Sequence, residues 1–336
     1  MTTRTLLLAL MLPAGVWCAV APADARRLGQ EPAAVTQPSQ RSGDTPAPQQ
    51  PEPTETPVFR SESNLVVLHV NVFDGRSDAV GNLTKDAFQV VEDGKAQTIT
   101  FFSNEDVPVA VGLVVDNSGS MIARRNMVLA GVRAFAESSL DEDELFAVVF
   151  NEHVRFALPD AVKFTRSRPQ IFGSLTRYPP GGKTAVHDAV VAGLEHLLEA
   201  SHQKRVLIVL SDGEDNASRH SEDDMLERAR RSNALIYAVS TAELGLTGGN
   251  TRLLKKLTEI SGGVLYRPDT SDEVVEAFAE IARNNRRAYR IGYEPTNGAR
   301  DGRFRRVRVS VRAPGYRNLT VSTRDGYLAP YDVVAR

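Results

Sequence analysis

The sequence has 336 residues, of which 42% are hydrophobic, and its formal net charge is −2. This length accommodates one large domain and a smaller one, and the near balance of charge gives no reason to expect a nucleic-acid partner. Cys18 is the only cysteine and lies in the N-terminal leader. Once the leader is removed, the chain can form neither a disulfide nor a cysteine-based zinc site.

Residues 1–25 have the features of a secretory signal peptide. Arg4 precedes an apolar run at residues 6–12, and two small-residue cleavage sites follow at residues 19–21 and 23–25. The apolar run is shorter than the about 20 residues that a membrane span needs. We therefore predict that the chain is exported, either to the periplasm or as a secreted protein, with an uncleaved membrane anchor as the alternative.

Residues 26–57 differ in composition from the rest of the chain. Proline, glutamine, threonine, alanine and glutamate dominate, and seven prolines lie between Pro32 and Pro57. Such a segment cannot bury a hydrophobic core. It is predicted to be a disordered linker that acts as a spacer.

Residues 58–106 are predicted to form an N-terminal β segment. Apolar and β-branched residues predict strands at 64–73 and 88–92, and the Asp93-Gly94 turn leads into a further strand at 97–102. No helix in this segment is long enough to connect parallel strands. These strands are therefore not expected to belong to a doubly wound sheet.

An α/β domain is predicted for residues 107–287, and it begins with an apolar run at 109–115 that ends in Asp116. A strand that is apolar at nearly every position is covered on both faces, as in parallel sheets. In such sheets ligands bind beyond the carboxyl ends of the strands, where Asp116, Ser118 and Ser120 lie. This end of the strand is therefore a candidate site.

A second apolar run, at residues 205–211, ends in Asp212. Neighbouring strands lie about 4.8 Å apart, so adjacent strands would bring Asp116 and Asp212 into one crevice. Between the two runs, a loop rich in proline and glycine at 179–184 delivers Thr184 to the start of a helix. These oxygen donors suit Mg²⁺, with Mn²⁺ or Ca²⁺ as alternatives, and do not suit zinc or copper.

The remaining periodicity predicts a doubly wound, mostly parallel α/β sheet. The strand at 145–150 is placed at an antiparallel edge that returns near Phe156. The other predicted elements are helices at 124–140, 186–200, 222–232, 251–261 and 271–284, and strands at 234–240 and 264–266.

Strands return after Arg287, in a C-terminal β segment at 288–336. They are predicted at 288–294, 304–312 and 319–323, and we expect them to join those of residues 58–106 in one β-sandwich. This segment is rich in arginine. The alternation at 306–312 is typical of the solvent face of a half-exposed strand and is favoured over a docking patch.

Three motifs together resemble the metal-ion-dependent adhesion site (MIDAS) of von Willebrand factor type A (VWA) domains, which have a Rossmann-like fold. They are D-N-S-G-S at 116–120, Thr184 in G-G-K-T, and S-D-G at 211–213. The resemblance implies that Ser118, Ser120 and Thr184 are hydroxyl ligands of a divalent cation. It implies that the carboxylates of Asp116 and Asp212 act partly through water.

The order of segments, with the C-terminal motifs Y-R-I-G-Y-E-P and D-G-Y-L-A-P, also resembles the bacterial VWFA-related Acidobacterial domain family. By analogy of fold, the loop at 244–250 and the residues Asn151, Arg177 and Tyr178 are expected to surround the contact surface. A purely local interpretation, in which Asp-Ser-Gly-Ser only caps the following helix, does not account for the recurrence at Asp212.

We therefore predict a non-enzymatic, exported binding module whose divalent cation bridges to an Asp or Glu carboxylate of a partner protein. No nucleic acid is expected, and membrane contact is expected only through an uncleaved N-terminal anchor. The competing hypothesis is a metal-assisted hydrolase or phosphotransferase in which Asp116 or Ser118 attacks and Asp212 holds Mg²⁺. A third is a structural domain with a silent site.

Two enzyme patterns are incomplete in the sequence. G-G-K-T lacks the first glycine of a P-loop, where Arg177 stands, and Ser118 lacks the flanking glycines of a G-x-S-x-G motif. His187 is the one candidate base close to Thr184 in sequence, and we expect it to face outward from the first turn of its helix.

Overall fold

The computed structural model describes residues 65–75, 78–242 and 250–331. The predicted signal peptide and linker, residues 1–57, lie outside the described residues, as does most of the predicted contact loop at 244–250. None of the helices described is both long enough and apolar enough to cross a bilayer.

The described residues form fourteen strands and six α-helices. The strands are β1 (Val66–Phe73), β2 (Phe88–Glu92), β3 (Lys95–Gln97), β4 (Ile99–Ser103), β5 (Ala110–Asp116), β6 (Glu144–Phe150), β7 (Val154–Phe156), β8 (Arg205–Ser211), β9 (Leu235–Ser240), β10 (Leu265–Tyr266), β11 (Tyr289–Tyr293), β12 (Phe304–Val311), β13 (Thr320–Ser322) and β14 (Gly326–Leu328). The helices are α1 (Arg125–Ser138), α2 (Arg168–Leu175), α3 (Val186–Leu197), α4 (Glu222–Arg231), α5 (Thr251–Ser261) and α6 (Ser271–Arg287).

The central sheet has the order β10-β9-β8-β5-β6-β7, and only the β6–β7 pair is antiparallel. This confirms the predicted doubly wound, mostly parallel fold. The placement of residues 145–150 at an antiparallel edge was wrong, because β6 runs parallel to β5 and the edge strand is β7. Six of the seven residues of β6 are buried, which is expected of a strand covered on both faces.

Helices cover both faces of this sheet, and α1 lies close against α6. A Cβ atom at Gly131 of α1 would lie 2.5 Å from Val274 Cγ1, so the two helices approach too closely for a side chain there. Helix α2 was not predicted from the sequence. It is short, begins at Arg168 behind the Ser167 cap with Pro169 in its first turn, and buries only Ile171, Ser174 and Leu175.

The flanking segments form two antiparallel sheets, with the orders β13-β1-β11-β4 and β14-β12-β2-β3. Each sheet combines strands from both sides of the α/β domain; Val66 pairs with Tyr293, for example, and Glu92 with Val307. One hydrophobic core joins the two sheets, and in it the rings of Phe88 and Tyr289 lie 4.8 Å apart. The predicted β-sandwich is therefore confirmed.

The predicted strand at 97–102 is two strands that belong to different sheets. β3 pairs with β2 through Gln97 and Val90, whereas β4 pairs with β11 through Phe102 and Ile291. The chain changes sheets at Thr98, and the alternation of buried and exposed residues continues from Gln97 to Thr100. A strand that turns a sandwich corner keeps its alternation, so the sequence pattern did not reveal the break.

Candidate metal site

The site is built at the adjoining carboxyl ends of β5 and β8. These strands are parallel neighbours, and Val115 pairs with Leu210, which places Asp116 beside Ser211. Ser211 Oγ donates a hydrogen bond of 2.6 Å to Asp116 Oδ2, and the backbone N–H of Ser118 donates one of 2.9 Å to Oδ1. Both carboxylate oxygens of Asp116 are therefore held in place from its own loop and from the neighbouring strand.

Asp116 and Asp212 are both buried, with 2% and 6% of their surface exposed. Burial is the main reason why the pKa of Asp116 is raised; the hydrogen bonds from Ser118 and Ser211 oppose the shift, and the charge of Asp212 adds to it. The two carboxylates are thus near enough to repel each other in a poorly solvated place. A divalent cation between them would relieve both the repulsion and the desolvation cost.

Two serine hydroxyls lie at the same edge. Ser118 Oγ and Ser120 Oγ are 3.1 Å apart, with Ser118 buried and Ser120 exposed. Ser118 precedes a single turn of 3₁₀ helix at Gly119–Met121 and Ser120 lies within it; the turn is closed by a 3.1 Å hydrogen bond from Met121 N–H to the Ser118 carbonyl. The pair therefore extends from the buried carboxylates towards solvent.

The loop that carries Thr184 is joined to both of the other segments. Gly119 N–H donates to the Gly182 carbonyl at 3.1 Å, and Thr184 N–H donates to Asn216 Oδ1 at 2.9 Å. Asn216 N–H returns a 2.9 Å bond to the Thr184 carbonyl, and Thr184 is 5% exposed. Three segments that are far apart in sequence are thereby brought together around the five predicted site residues.

Gly182 is required for the path of this loop. Its φ is +88°, in the left-handed region that favours glycine, and a Cβ atom there would lie 1.9 Å from Glu152 Oε2. The same oxygen accepts a 2.9 Å hydrogen bond from Lys183 N–H. G-G-K-T is thus a loop braced by a carboxylate, and the helix that precedes it, α2, takes the place of the strand that a P-loop would follow.

The donor set consists of two carboxylates and three hydroxyls, all hard oxygen ligands of the kind that Mg²⁺, Mn²⁺ and Ca²⁺ prefer. Within the described ranges, no group of three or more His, Cys, Asp or Glu residues is arranged to hold a metal ion. The candidate metal site consists of Asp116, Ser118, Ser120, Thr184 and Asp212, and the chemistry of these donors fits a divalent cation.

His187 does not face outward as expected. Its side chain is 14% exposed, and Nδ1 lies 3.1 Å from the His220 carbonyl oxygen and 3.6 Å from Asp215 Oδ2. The loop after β8 folds over the first turn of α3, where Asp188 Oδ1 accepts a 2.9 Å hydrogen bond from His220 N–H. This contact between loop and helix encloses the ring, and sequence periodicity within α3 could not reveal it.

Sequence reasoning missed two residues that support the site. Ser211 fixes Asp116, and Asn117 Nδ2 donates a 2.6 Å hydrogen bond to the carbonyl of Pro179 in the Thr184 loop. Arg125 in turn donates to Asn117 Oδ1 at 2.5 Å. Asn117 lies inside the D-N-S-G-S motif and Ser211 inside the S-D-G motif. Their position within these motifs was the only sequence signal for their supporting role.

The residues predicted to surround the contact surface lie beside the Thr184 loop. Asn151 Nδ2 donates to the Gly181 carbonyl at 3.1 Å, and Arg177 is exposed next to Tyr178. Asn250, the described end of the predicted contact loop, donates from its N–H to the Asp212 carbonyl at 2.8 Å. This rim of the site is therefore connected to its ligand-bearing segments.

The family model of the von Willebrand factor type A domain matches residues 111–280, which is just over half of the chain. No curated protein matches the sequence.

Similar solved structures include a von Willebrand factor type A protein from Catenulispora acidiphila, at 16% identity and TM-score 0.47, covering 82% of this chain and 76% of that one. Proximal thread matrix protein 1 from the mussel byssus, with a zinc-occupied MIDAS motif, has 15% identity and TM-score 0.46, covering 58% and 49%. The type V pili tip protein Mfa5 from Porphyromonas gingivalis has 14% identity and TM-score 0.44, covering 53% and 95%. These identities are too low to transfer a ligand or a partner to this chain.

Proposed function

The chain belongs to the von Willebrand factor type A domain family, and we propose that it is a metal-dependent protein-binding module. In this family a divalent cation at the MIDAS commonly mediates adhesion between proteins. The observation that carries the proposal is the convergence of three segments on one sheet edge. Their two buried carboxylates and three hydroxyls are oxygen donors of the kind that hard cations prefer.

The proposed binding chemistry follows from the charges of these donors. Asp116 and Asp212 offset the charge of a divalent cation, while Ser118, Ser120 and Thr184 supply neutral oxygens. A cation held mainly by neutral atoms retains a strong attraction for a further anionic oxygen. Ser120 is exposed, so a cation held by these residues would be accessible from solvent on this side. An Asp or Glu carboxylate of a partner protein is the proposed ligand for that side.

We propose Mg²⁺ as the resident ion, with Mn²⁺ and Ca²⁺ as alternatives, because every donor is an oxygen. Zn²⁺ binds many sites more tightly than Mg²⁺, so it belongs in any titration as a competitor. The proposed setting is outside the cytoplasm, since the N-terminal 25 residues have the pattern of a signal peptide.

The same site is proposed to be non-enzymatic. Both carboxylate oxygens of Asp116 accept hydrogen bonds, which makes Asp116 a poor nucleophile. Ser118 would need a neighbouring base, and the ring Nδ1 of His187 lies against the His220 carbonyl. Neither of the two side chains considered as nucleophiles, Asp116 and Ser118, is therefore activated for attack. Turnover of phosphate esters that is lost in Asp116→Ala would revive the hydrolase or phosphotransferase alternative.

The proposal is tested by asking whether the bound metal accepts a carboxylate. Acetate and acetamide are added separately to the Mn²⁺-loaded chain, and the relaxation of their methyl protons is measured by NMR. We expect strong relaxation of acetate and little of acetamide, and removal of the effect by Asp116→Ala. Equal relaxation of both probes, or of acetate in both proteins, would contradict a carboxylate-binding metal.

A further inference from the structure

A second feature lies at the opposite end of β8, where the α/β domain meets the sandwich. It is a cleft of about 1090 Å³, and we refer to it as the arginine cleft. Since β8 has seven residues, the cleft is roughly 20 Å from the metal site at about 3.3 Å per residue. Its arginines come from β8, α4, β11 and the loops of the C-terminal segment, namely Arg205, Arg230, Arg231, Arg290, Arg300 and Arg324.

The charge of the arginine cleft is one-sided. Lys204 also lines it, and no Asp or Glu is among its described lining residues. Arg231 is paired with Glu227 on the surface of α4, which offsets one of the positive charges. Burial, and then the charges of Lys204 and two of the arginines, lower the pKa of His69 to about 3. The lining of the cleft thus carries positive charge, with Asp106 and Asp143 near Lys204 and Asp325 near Arg230 outside the lining, and His69 stays neutral there at physiological pH.

Several polar atoms of the arginine cleft have no hydrogen-bond partner among the described residues. They are the Nε atoms of Arg205, Arg290 and Arg324 and the Nδ1 atom of His69, all of them buried. Buried polar atoms without partners are costly, so the fold does not by itself satisfy the arginines that line this cleft. Aromatic rings support two of the guanidinium groups, since Arg290 lies 5.6 Å from the centroid of Phe101 and Arg324 lies 5.6 Å from that of Tyr327.

The lining also has an apolar part, which includes the start of a strand. Leu65, Val67 and Phe101 line the cleft beside the arginines. Along Val66–Val70, β1 pairs with β11 on one side, whereas β13 pairs only with Asn71–Phe73 on the other. Arg324, which follows β13, donates from Nη2 a 2.9 Å hydrogen bond to the Val67 carbonyl, so this part of the strand is already covered by a guanidinium group.

We propose that the arginine cleft binds an extended acidic peptide of a partner protein, with its carboxylates on the guanidinium groups and its apolar side chains on Leu65, Val67 and Phe101. Guanidinium groups match carboxylates with two parallel hydrogen bonds, which gives both strength and direction. A nucleic acid or polyphosphate presents phosphate at every step and would leave the apolar lining uncovered. The peptide would engage this chain at a place separate from the metal site.

The test uses the full chain in EDTA, so that the metal site takes no part. The probe is a fluorescent peptide of alternating glutamate and valine, about eight residues long, and its control replaces glutamate by glutamine. Saturable binding of the glutamate peptide, without binding of the glutamine peptide, is the expected result. Failure of metal binding at Asp116 would leave this result unchanged, so the two proposals are tested separately.

Two double variants locate the binding. We expect Arg205→Gln with Arg230→Gln to weaken the peptide at least about tenfold, because two charge-assisted contacts are lost. Arg306→Gln with Arg308→Gln changes the net charge equally on the exposed face of β12 and is expected to leave the affinity within about twofold. Melting temperatures within about 3 °C of the parent would show that all variants are folded.

Three outcomes would overturn the proposal. One is equal affinity in the parent and in Arg205→Gln with Arg230→Gln. Another is peptide binding that requires Mg²⁺, which would assign it to the metal site. The third is binding of inorganic polyphosphate or a sulfated glycan in the same cleft while the glutamate peptide does not bind.

Discussion

Two carboxylates are buried equally in the two parts of the molecule, yet their surroundings differ. Glu92 in the sandwich and Asp116 at the sheet edge are each 2% exposed. Glu92 Oε2 accepts hydrogen bonds of 2.8 Å from the hydroxyls of Tyr293 and Tyr327. Burial, and then the bond to Glu92, raise the pKa of both phenols, so they remain donors. Asp116 instead faces the charge of Asp212.

This difference separates a structural carboxylate from a candidate ligand. Glu92 is satisfied by neutral donors within its own core, so its burial is compensated. Asp116 is held by neutral donors but still meets a second carboxylate, and only a cation would compensate both. Burial of a carboxylate is therefore not by itself a sign of function; a second buried carboxylate beside it, with neutral oxygens, is the informative pattern.

The largest effect on stability is expected in the sandwich. Glu92→Ala would leave two buried phenol hydroxyls without an acceptor, and it is expected to lower the free energy of unfolding by about 3 kcal/mol. Urea denaturation measures this, with Tyr327→Phe as a milder control that removes one of the two bonds. The affinity for Mg²⁺ is expected to remain that of the parent. Loss of Mg²⁺ binding in a folded Glu92→Ala variant would contradict the assignment of Glu92 as a purely structural carboxylate.

A smaller loss is expected at the loop that carries Thr184. Gly182→Ala would force a side chain into the left-handed region and against Glu152, which costs about 2 kcal/mol and displaces the loop, so metal affinity should fall as well. Gly173→Ala in α2 is the matched control, because a Cβ atom there meets nothing within 4 Å. Calorimetry and urea denaturation of both variants check the prediction; equal behaviour would contradict the role of Gly182.

Asp116→Asn is expected to stabilise the metal-free chain, in contrast to the two substitutions above. Without metal it should raise the free energy of unfolding by on the order of 1 kcal/mol, because it removes a buried charge beside Asp212, while abolishing Mg²⁺ binding. Glu92→Gln has no such neighbouring carboxylate and is expected to destabilise. Destabilisation by Asp116→Asn in the metal-free state would mean that the carboxylates are compensated without a cation.

The stability gained by Asp116→Asn is expected to depend on pH, because the folded state raises the pKa of Asp116 above its unfolded value of about 3.8. At pH values above the folded pKa, the buried charge destabilises the metal-free chain. Between the folded pKa and 3.8 the folded state binds the proton more tightly, so the advantage of Asp116→Asn shrinks as pH falls. Below pH 3.8 the stability advantage of Asp116→Asn should vanish. Urea denaturation across this pH range checks the prediction.

The smallest effect on stability is expected at Ser120. Its side chain is exposed, so Ser120→Ala should change the free energy of unfolding by less than about 0.5 kcal/mol. It removes a neutral metal donor, however, and the affinity for Mg²⁺ is expected to fall by roughly tenfold. A titration that finds unchanged affinity would remove Ser120 from the ligand set.

Most of the α/β domain was predictable because its strands are buried on both faces. The apolar runs before Asp116 and Asp212 indicated both strand ends directly. Their adjacency was only assumed, because β6 and β7 lie between these strands in the chain. Thr184 was found through its loop and through the resemblance to the VWA family. By contrast, α2 is short and weakly patterned, and its existence depends on packing against its neighbours.

The remaining features depend on contacts between distant parts of the chain. The change of sheets at Thr98 leaves the alternation of side chains intact, so no local signal marked it. The arginine cleft collects residues from strand β8, helix α4, strand β11 and the C-terminal loops. In the sequence these arginines are scattered, and the packing of the sandwich against the α/β domain brings them together. The enclosure of His187 depends likewise on the loop after β8.

The most direct test of the metal site is calorimetric titration of Mg²⁺ into the metal-stripped chain. It is made beside Asp116→Ala and beside Asp160→Ala, an exposed aspartate that serves as the control. We predict saturable binding at one site in the parent and in Asp160→Ala, and none in a folded Asp116→Ala. Absence of binding in the parent, or equal binding in all three proteins, would contradict a metal-dependent module.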